Sequence, residues 1–214
     1  TITGNTNICL GQNATLTAGG GNTYSWSTSQ TINQIIVTPP TGTTSYTVIG
    51  TDGNGCTNGF IATVTVNNPP VANINGVANP LPVTICSGGS ATLTASGGNG
   101  YSWSTGSTIN PLIVTPFVQT GYAVTVTNSS GCSDTASILV NVTTAPTASI
   151  TASSTTVCSG NSVTLTATGG SSYVWLNNSS TTPVLVDAPA SPTTYSLVAF
   201  NGSCSDTTTL LINV

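Results

Sequence analysis

Cysteine and tryptophan recur in this chain at a spacing that repeats three times. Each repeat has a cysteine, a tryptophan 17 residues later, and a second cysteine 29 or 30 residues beyond the tryptophan. A tyrosine stands 9 or 10 residues before each second cysteine and supports the same register. A fixed period of this kind predicts a tandem array of related modules. The markers are Cys9, Trp26, Tyr46 and Cys56, then Cys86, Trp103, Tyr122 and Cys132, then Cys158, Trp175, Tyr195 and Cys204.

The 214 residues divided by three give about 71 residues per module, the size of a small β-sandwich. We place the modules at residues 1–68, 69–144 and 145–214, with proline-containing joints between them. Only eight residues precede Cys9, so we expect module 1 to be truncated at its N-terminus and further modules to lie upstream. A domain of this size buries roughly 60% of the surface of its unfolded chain, so an additional cross-link is expected.

The six cysteines can supply this cross-link. Among the possible connectivities, the internal repetition favours one bond within each module. A metal site would require short cysteine spacings or histidines, and the chain has neither. We therefore predict no metal or cofactor, and an oxidising compartment outside the cytoplasm. The predicted intradomain disulfides are Cys9–Cys56, Cys86–Cys132 and Cys158–Cys204.

Apolar and polar residues alternate in short segments of each module. Examples in module 1 are Ala14–Ala18, Tyr24–Trp26, Tyr46–Ile49 and Ile61–Val66. This period of two predicts half-buried antiparallel strands, and the glycine-rich segments between them predict tight turns. The chain is thus predicted to be all-β, with three tandem immunoglobulin-like sandwiches.

The charge inventory excludes several classes of function. The chain has no Lys, Arg or His, and its acidic residues are Asp52, Asp134, Asp187 and Asp206. Nucleic acids and anionic membranes bind through cations, which are absent here. Nucleophilic hydrolases need a base beside the nucleophile, and paired-carboxylate catalysis needs two acids closer than residues in separate modules would be. The composition therefore predicts that this segment is not an enzyme.

Three local patterns leave alternatives open. Trp26, Trp103 and Trp175, with the strand tyrosines Tyr46, Tyr122 and Tyr195, are assigned to the core, although a Tyr-Ser-Trp strand could also form a sugar-stacking platform. The segment Asp52–Gly55 is a turn or, less simply, a calcium ligand. The repeated Thr-Xaa-Thr pairs are the polar faces of strands or an ice-binding array.

Several motifs resemble a known group of repeats. Cys-Ser-Gly-(Gly/Asn)-Ser-Xaa-Thr-Leu-Thr-Ala begins at Cys86 and Cys158, Tyr-Ser-Trp-Ser-Thr surrounds two of the tryptophans, and Cys-Ser-Asp-Thr begins at Cys132 and Cys204. These motifs resemble the Ig-like and PKD-like repeats of giant Bacteroidota surface proteins, similar to gliding-motility adhesins exported by type IX secretion. The resemblance implies O-glycosylation at Thr135 and Thr207, each of which follows an aspartate.

These observations predict a structural repeat segment of a secreted, cell-surface fibre, filament or adhesin stalk. The expected partners are copies of itself or further repeats of the same polypeptide, with covalent glycans possible on its surface. The alternative is a module that binds polysaccharide or another surface. For that alternative, the segment Val174–Asn178 is the candidate loop, because it differs from the Ser-Trp-Ser-Thr of the other two modules.

Overall fold

The computed structural model describes residues 1–214, and its regular elements are β-strands. No helix in it is long and apolar enough to span a membrane. The chain divides into two compact units. Module 1 lies wholly in the first unit and module 3 wholly in the second, while module 2 contributes residues to both. The first unit is Thr1–Pro80, Leu93–Leu112 and Tyr122–Ser137, and the second is Leu81–Thr92, Ile113–Gly121 and Ile138–Val214.

Module 1 is a sandwich of two sheets. Its strands are β1 (Ile2–Gly4), β2 (Asn7–Cys9), β3 (Ala14–Ala18), β4 (Thr23–Trp26), β5 (Gln34–Val37), β6 (Gly42–Thr51) and β7 (Thr57–Asn67). One sheet has the order β1-β3-β5 and the other has the order β2-β7-β6-β4. In immunoglobulin notation these are strands A-B-E and A′-G-F-C, so the predicted immunoglobulin-like, all-β architecture is confirmed here.

The alternating sequence explains why these segments are strands. In β3 the side chains of Ala14, Leu16 and Ala18 are buried, and the intervening Thr15 and Thr17 face outward. The same alternation in β6 and β7 places Val48 and Val64 in the core. Each strand thus contributes one apolar face to the space between the sheets.

Module 2 repeats several of these elements. Its strands are β8 (Asn73–Ile74), β9 (Val83–Cys86), β10 (Ala91–Leu93), β11 (Ala95–Ser96), β12 (Gly100–Trp103), β13 (Leu112–Val114), β14 (Thr120–Thr127) and β15 (Ser133–Thr143). In the first unit, β8 pairs with β11 and β12 pairs with β14, both antiparallel. In the second unit, β9 runs parallel to the end of β15, as β2 runs parallel to the end of β7.

Module 3 is again a two-sheet sandwich. Its strands are β16 (Ser149–Ala152), β17 (Val163–Thr168), β18 (Ser172–Trp175), β19 (Val184–Asp187), β20 (Thr193–Asn201) and β21 (Cys204–Ile212). The sheet orders are β16-β17-β19 and β18-β20-β21. The short parallel strand of the other modules is reduced here to a bridge between Thr156 and Asn213.

A tryptophan lies in the interior of each module. Trp26, Trp103 and Trp175 are 3%, 2% and 0% exposed. The indole N–H of Trp26 donates to the carbonyl oxygen of Ile32, and that of Trp175 donates to the carbonyl oxygen of Thr182. The indole N–H of Trp103 is buried without an acceptor. The tyrosines Tyr46, Tyr122 and Tyr195 are buried as well, at 8%, 9% and 1% exposure.

Candidate functional site: the joints between modules

The disulfides join successive modules and do not close individual ones. Cys9 is bonded to Cys132, and Cys86 is bonded to Cys204, with Cα–Cα distances of 5.6 Å in both pairs. Cys56 and Cys158 are free and exposed. The expected pairs Cys9–Cys56, Cys86–Cys132 and Cys158–Cys204 are therefore wrong. In both observed pairs the first cysteine of one module bonds to the second cysteine of the next.

The strand order gives the physical reason for this correction. The pairing of β2 with β7 places Cys9 opposite Asn67, at the end of the last strand of module 1. Cys56 immediately precedes Thr57, the first residue of that same strand. A strand rises about 3.3 Å per residue, so these cysteines lie about 35 Å apart along β7. A disulfide requires Cα atoms within about 7 Å, so the two cysteines of one sandwich cannot meet.

Residues 67–72, which we call joint 1, connect modules 1 and 2 and are held by side chains of module 2. The N–H of Ala72 donates to Asp134 Oδ2 at 2.9 Å. Asn128 Nδ2 donates to the carbonyl oxygen of Asn68 at 2.9 Å. The second cysteine, Cys132, lies between these side chains in sequence and is 1% exposed. Joint 1 is thus fixed by a covalent bond and two side-chain hydrogen bonds.

Residues 143–148, which we call joint 2, are held in the same way by module 3. The N–H of Ala148 donates to Asp206 Oδ2 at 2.9 Å, and Asn201 Nδ2 donates to the carbonyl oxygen of Thr144 at 3.2 Å. Cys204 is also 1% exposed. The two joints therefore use one design, in which an asparagine, a cysteine and an aspartate, located in or next to the turn between the last two strands, bind the preceding connection.

A glycine lies under each joint. A Cβ on Gly97 would lie 1.9 Å from the carbonyl oxygen of Val71, and a Cβ on Gly169 would lie 1.8 Å from that of Thr147. Both glycines also have positive φ, +110° and +94°. No other residue type can occupy these positions without moving the joint. This role was not predicted from the sequence, although a glycine stands six residues before every tryptophan.

The four carboxylates are engaged in hydrogen bonds within the fold. Besides Asp134 and Asp206 at the joints, Asp52 Oδ1 accepts hydrogen bonds from the N–H groups of Asn54 and Cys56, which close the turn Asp52–Gly55. No cluster of three or more His, Cys, Asp or Glu residues in the chain could hold a metal ion.

Asp187 interacts with the tyrosine of module 3. The hydroxyl of Tyr195 donates to Asp187 Oδ2 at 2.6 Å. Burial of the ring raises the pKa of Tyr195 to about 12, and the hydrogen bond to Asp187 and its negative charge act in the same direction. This contact joins the end of β19 to β20 and is an internal interaction of module 3.

The tyrosine two residues before each tryptophan has an equally local role. The hydroxyls of Tyr24, Tyr101 and Tyr173 donate to the carbonyl oxygens three residues earlier, at 2.7, 2.8 and 2.7 Å. These rings are half-buried, and the neighbouring indoles are buried. The pair therefore does not expose the two aromatic faces that a sugar-stacking platform requires.

The unusual loop of module 3 also has a structural explanation. In modules 1 and 2 the serine after the tryptophan accepts a hydrogen bond from the neighbouring strand, as Ser27 Oγ does from the N–H of Thr47. Module 3 has Leu176 at this position, and Asn177 Oδ1 accepts from the N–H of Ser196 instead. The substitution preserves the strand contact and leaves Leu176 57% exposed.

The predicted glycosylation sites lie next to the aspartates of the joints. Thr135 and Thr207 are exposed on β15 and β21. Their modification stays a prediction. The preceding aspartates have a clear role in the fold without it, because their carboxylates accept hydrogen bonds from the joints.

Comparison with known proteins gives a likeness of fold alone. No family model matches the chain, and no curated protein matches it. The N-terminal eight Ig domains of Down Syndrome Cell Adhesion Molecule match 95% of this chain at 14% identity and a TM-score of 0.48, and the chain spans 39% of that structure. Three titin domains match 97% of this chain and 96% of their own at 12% identity and a TM-score of 0.43. Three N-terminal domains of the outer capsid protein Hoc of bacteriophage RB49 match 98% of this chain and 95% of their own, at 18% identity and a TM-score of 0.38. These matches record a similarity only, and the immunoglobulin-like architecture of this chain rests on its own strand order.

Proposed function

We propose that this chain is a structural segment of a secreted cell-surface fibre or adhesin stalk. The observation that carries the proposal is that both disulfides cross the connections between modules. A domain that worked alone would gain most from a bond inside itself. Bonds between modules instead oppose bending and extension of the array, and these are the deformations that a load-bearing segment must resist.

The composition supports the same function. Persistent disulfides form in oxidising compartments such as the cell surface. The absence of Lys and Arg removes all trypsin sites, and the small charge leaves a surface of hydroxyls and amides that changes little with salt or pH. The resemblance to repeats of Bacteroidota surface proteins adds the proposals of export by type IX secretion and of glycans on Thr135 and Thr207.

Electron microscopy of native extracellular material tests this proposal. An antibody raised against the 214-residue segment, followed by gold labelling of intact cells, should mark fibres or stalks at the cell surface. Preimmune serum is the control. Label that is confined to the cell interior would contradict the proposal. Mass spectrometry of the same material tests the glycans, which predict hexose-containing mass increments on the peptides that contain Thr135 and Thr207.

A further inference from the structure

The two free cysteines occupy the positions that are bonded at the joints. Cys56 is the second cysteine of module 1 and corresponds to Cys132 and Cys204, which bond to a preceding module. Cys158 is the first cysteine of module 3 and corresponds to Cys9 and Cys86, which bond to a following module. Both free thiols are exposed. By this correspondence, the partner of Cys56 is the first cysteine of a preceding module, and the partner of Cys158 is the second cysteine of a following module.

The backbone register supports this equivalence for Cys158. Asn7 pairs with Thr65 and Thr84 pairs with Asn141, in each case two residues before the bonded cysteine. In module 3 the matching bridge joins Thr156 to Asn213. Cys158 thus follows the bridge by two residues, in the same way as the cysteines that reach the next module.

A groove at the start of module 1 corresponds to the surface on which each joint lies in modules 2 and 3. Gly20 matches Gly97 and Gly169, because each stands six residues before its tryptophan. Joint carbonyls cover Gly97 and Gly169, whereas no atom lies within 4 Å of a Cβ placed on Gly20, whose φ is +92°. A cavity of about 210 Å³ lies here and is lined by Gly20, Asn58 and Phe60 among others.

Asn58 also matches the joint residues, since it stands two residues after Cys56 as Asp134 stands two after Cys132. Its amide oxygen can accept the N–H that the aspartate accepts at joint 1. Module 1 departs from the design at Asp52, because a carboxylate cannot donate as Asn128 does. The groove therefore retains the cysteine, the glycine and one acceptor of a joint.

We propose that the two ends of this segment are half-joints, each of which binds a further module of the same repeat through a disulfide. The groove is occupied by a connection like joint 1. This connection belongs to the same polypeptide and joins module 1 to a preceding module, whose first cysteine bonds to Cys56. Cys158 forms the corresponding bond to the second cysteine of a following module. Each bond forms by thiol–disulfide exchange, in which two protein S–H bonds break and their two protons and two electrons pass to a small-molecule disulfide such as oxidised glutathione, whose S–S bond breaks to give two thiols.

A tandem of two full chains tests this proposal. The copies are linked by Asn67–Ala72, the six residues of joint 1, which restores the spacing between Val214 of one copy and Thr1 of the next. Cys56→Ala in the first copy and Cys158→Ala in the second leave one Cys158 and one Cys56 to meet. After folding in a glutathione buffer, the denatured tandem should contain no free thiol. Two free thiols, or pepsin fragments that link other cysteines, would refute the proposal.

Gly20→Ala supplies a matched control within the same tandem. A connection that lies in the groove raises the effective concentration of the two thiols. In the second copy the new Cβ would contact this connection, so formation of the disulfide between Cys158 and Cys56 should slow by about tenfold. In the first copy, where no connection precedes Gly20, the same substitution should leave the rate unchanged. Equal rates in the two positions would show that the connection does not occupy the groove.

Separate chains distinguish the source of the partner. If the unlinked 214-residue chain forms Cys56–Cys158 polymers as readily as the tandem forms its internal bond, the partner is a second copy, which contradicts a continuous connection. These measurements read only disulfide chemistry. A negative result would overturn the half-joints and leave the proposed surface function untouched, since that function is tested by labelling of native material.

Discussion

The interleaved disulfides should limit how far this chain can be stretched. Cys86 lies inside the loop closed by Cys9 and Cys132, and Cys132 lies inside the loop closed by Cys86 and Cys204. The shortest covalent path between the termini runs through residues 1–9, crosses to Cys132, returns to Cys86 and crosses to Cys204. This path contains about 65 residues, which can extend to about 230 Å, whereas the reduced chain can extend to about 750 Å.

Single-molecule force spectroscopy measures these lengths directly. Pulled from its termini, the oxidised chain should reach about 230 Å, and addition of a reductant should release the remainder. Cys9→Ala breaks one bond, leaves Cys86–Cys204 in place and should allow about 340 Å. Cys56→Ala removes a free thiol and should change nothing. If the bonds lay within modules, that last variant would extend to about 430 Å, a result that would refute the joint assignment.

Counting thiols provides an independent check on the same variants. The denatured, unreduced chain should contain two free thiols, those of Cys56 and Cys158. Cys9→Ala should add one, because it releases Cys132. Bonds within modules would instead give no free thiol in the parent chain, so the two assignments differ before any force is applied.

Three further results are expected from the joints and from module 3. Gly97→Ala should lower the unfolding free energy by about 3 kcal/mol or more, because the joint must move. Gly20→Ala should lower it by only about 1 kcal/mol, the strain of a positive φ. Equal losses in denaturant titrations would contradict the role of Gly97 in contacting joint 1. Asp134→Ala should lower the free energy of unfolding by about 2 kcal/mol, because it leaves a buried N–H of the joint without an acceptor. Asp134→Asn should lower it less, and the order of the two melting temperatures checks this. Absorbance titration should show Tyr195 ionising near pH 12, and Asp187→Asn should lower that pKa only in part since burial is the larger cause. Because the folded pKa lies above the unfolded one, this contribution to stability is complete below about pH 10 and is lost as the pH rises through 12.

The strands could be predicted because their signal is local. The alternation in Ala14–Ala18 coincides with β3, and the segment Ile61–Val66 forms the second half of β7. A side-chain period of two requires only neighbouring residues and one buried face, so no knowledge of the rest of the fold was needed. The edge strand β5 is followed by Pro39 and Pro40, which agrees with the rule that proline is confined to edges and turns.

The disulfide pairing could not be predicted from spacing, because a repeat makes the pairing ambiguous. A first cysteine stands at the same place in every module, so its spacing to a second cysteine is regular whether the bond stays inside or crosses a joint. The deciding fact is that β2 runs parallel to β7, which places Cys9 at the far end of the strand that begins after Cys56. That pairing is non-local, and neither hydrophobic alternation nor turn composition specifies it.

The joints also show how a chain without cationic side chains fixes the connection between its domains. Domain interfaces commonly include ion pairs, which salt screens over about 8 Å at physiological ionic strength. Here Asp134 and Asp206 accept backbone N–H groups at short range, Gly97 and Gly169 allow direct backbone contact, and a covalent bond completes each joint. None of these interactions requires an opposite charge, so the joints should keep their geometry in high salt. The reducing potential of the surroundings, and not their ionic strength, is therefore the variable to which this array is most sensitive.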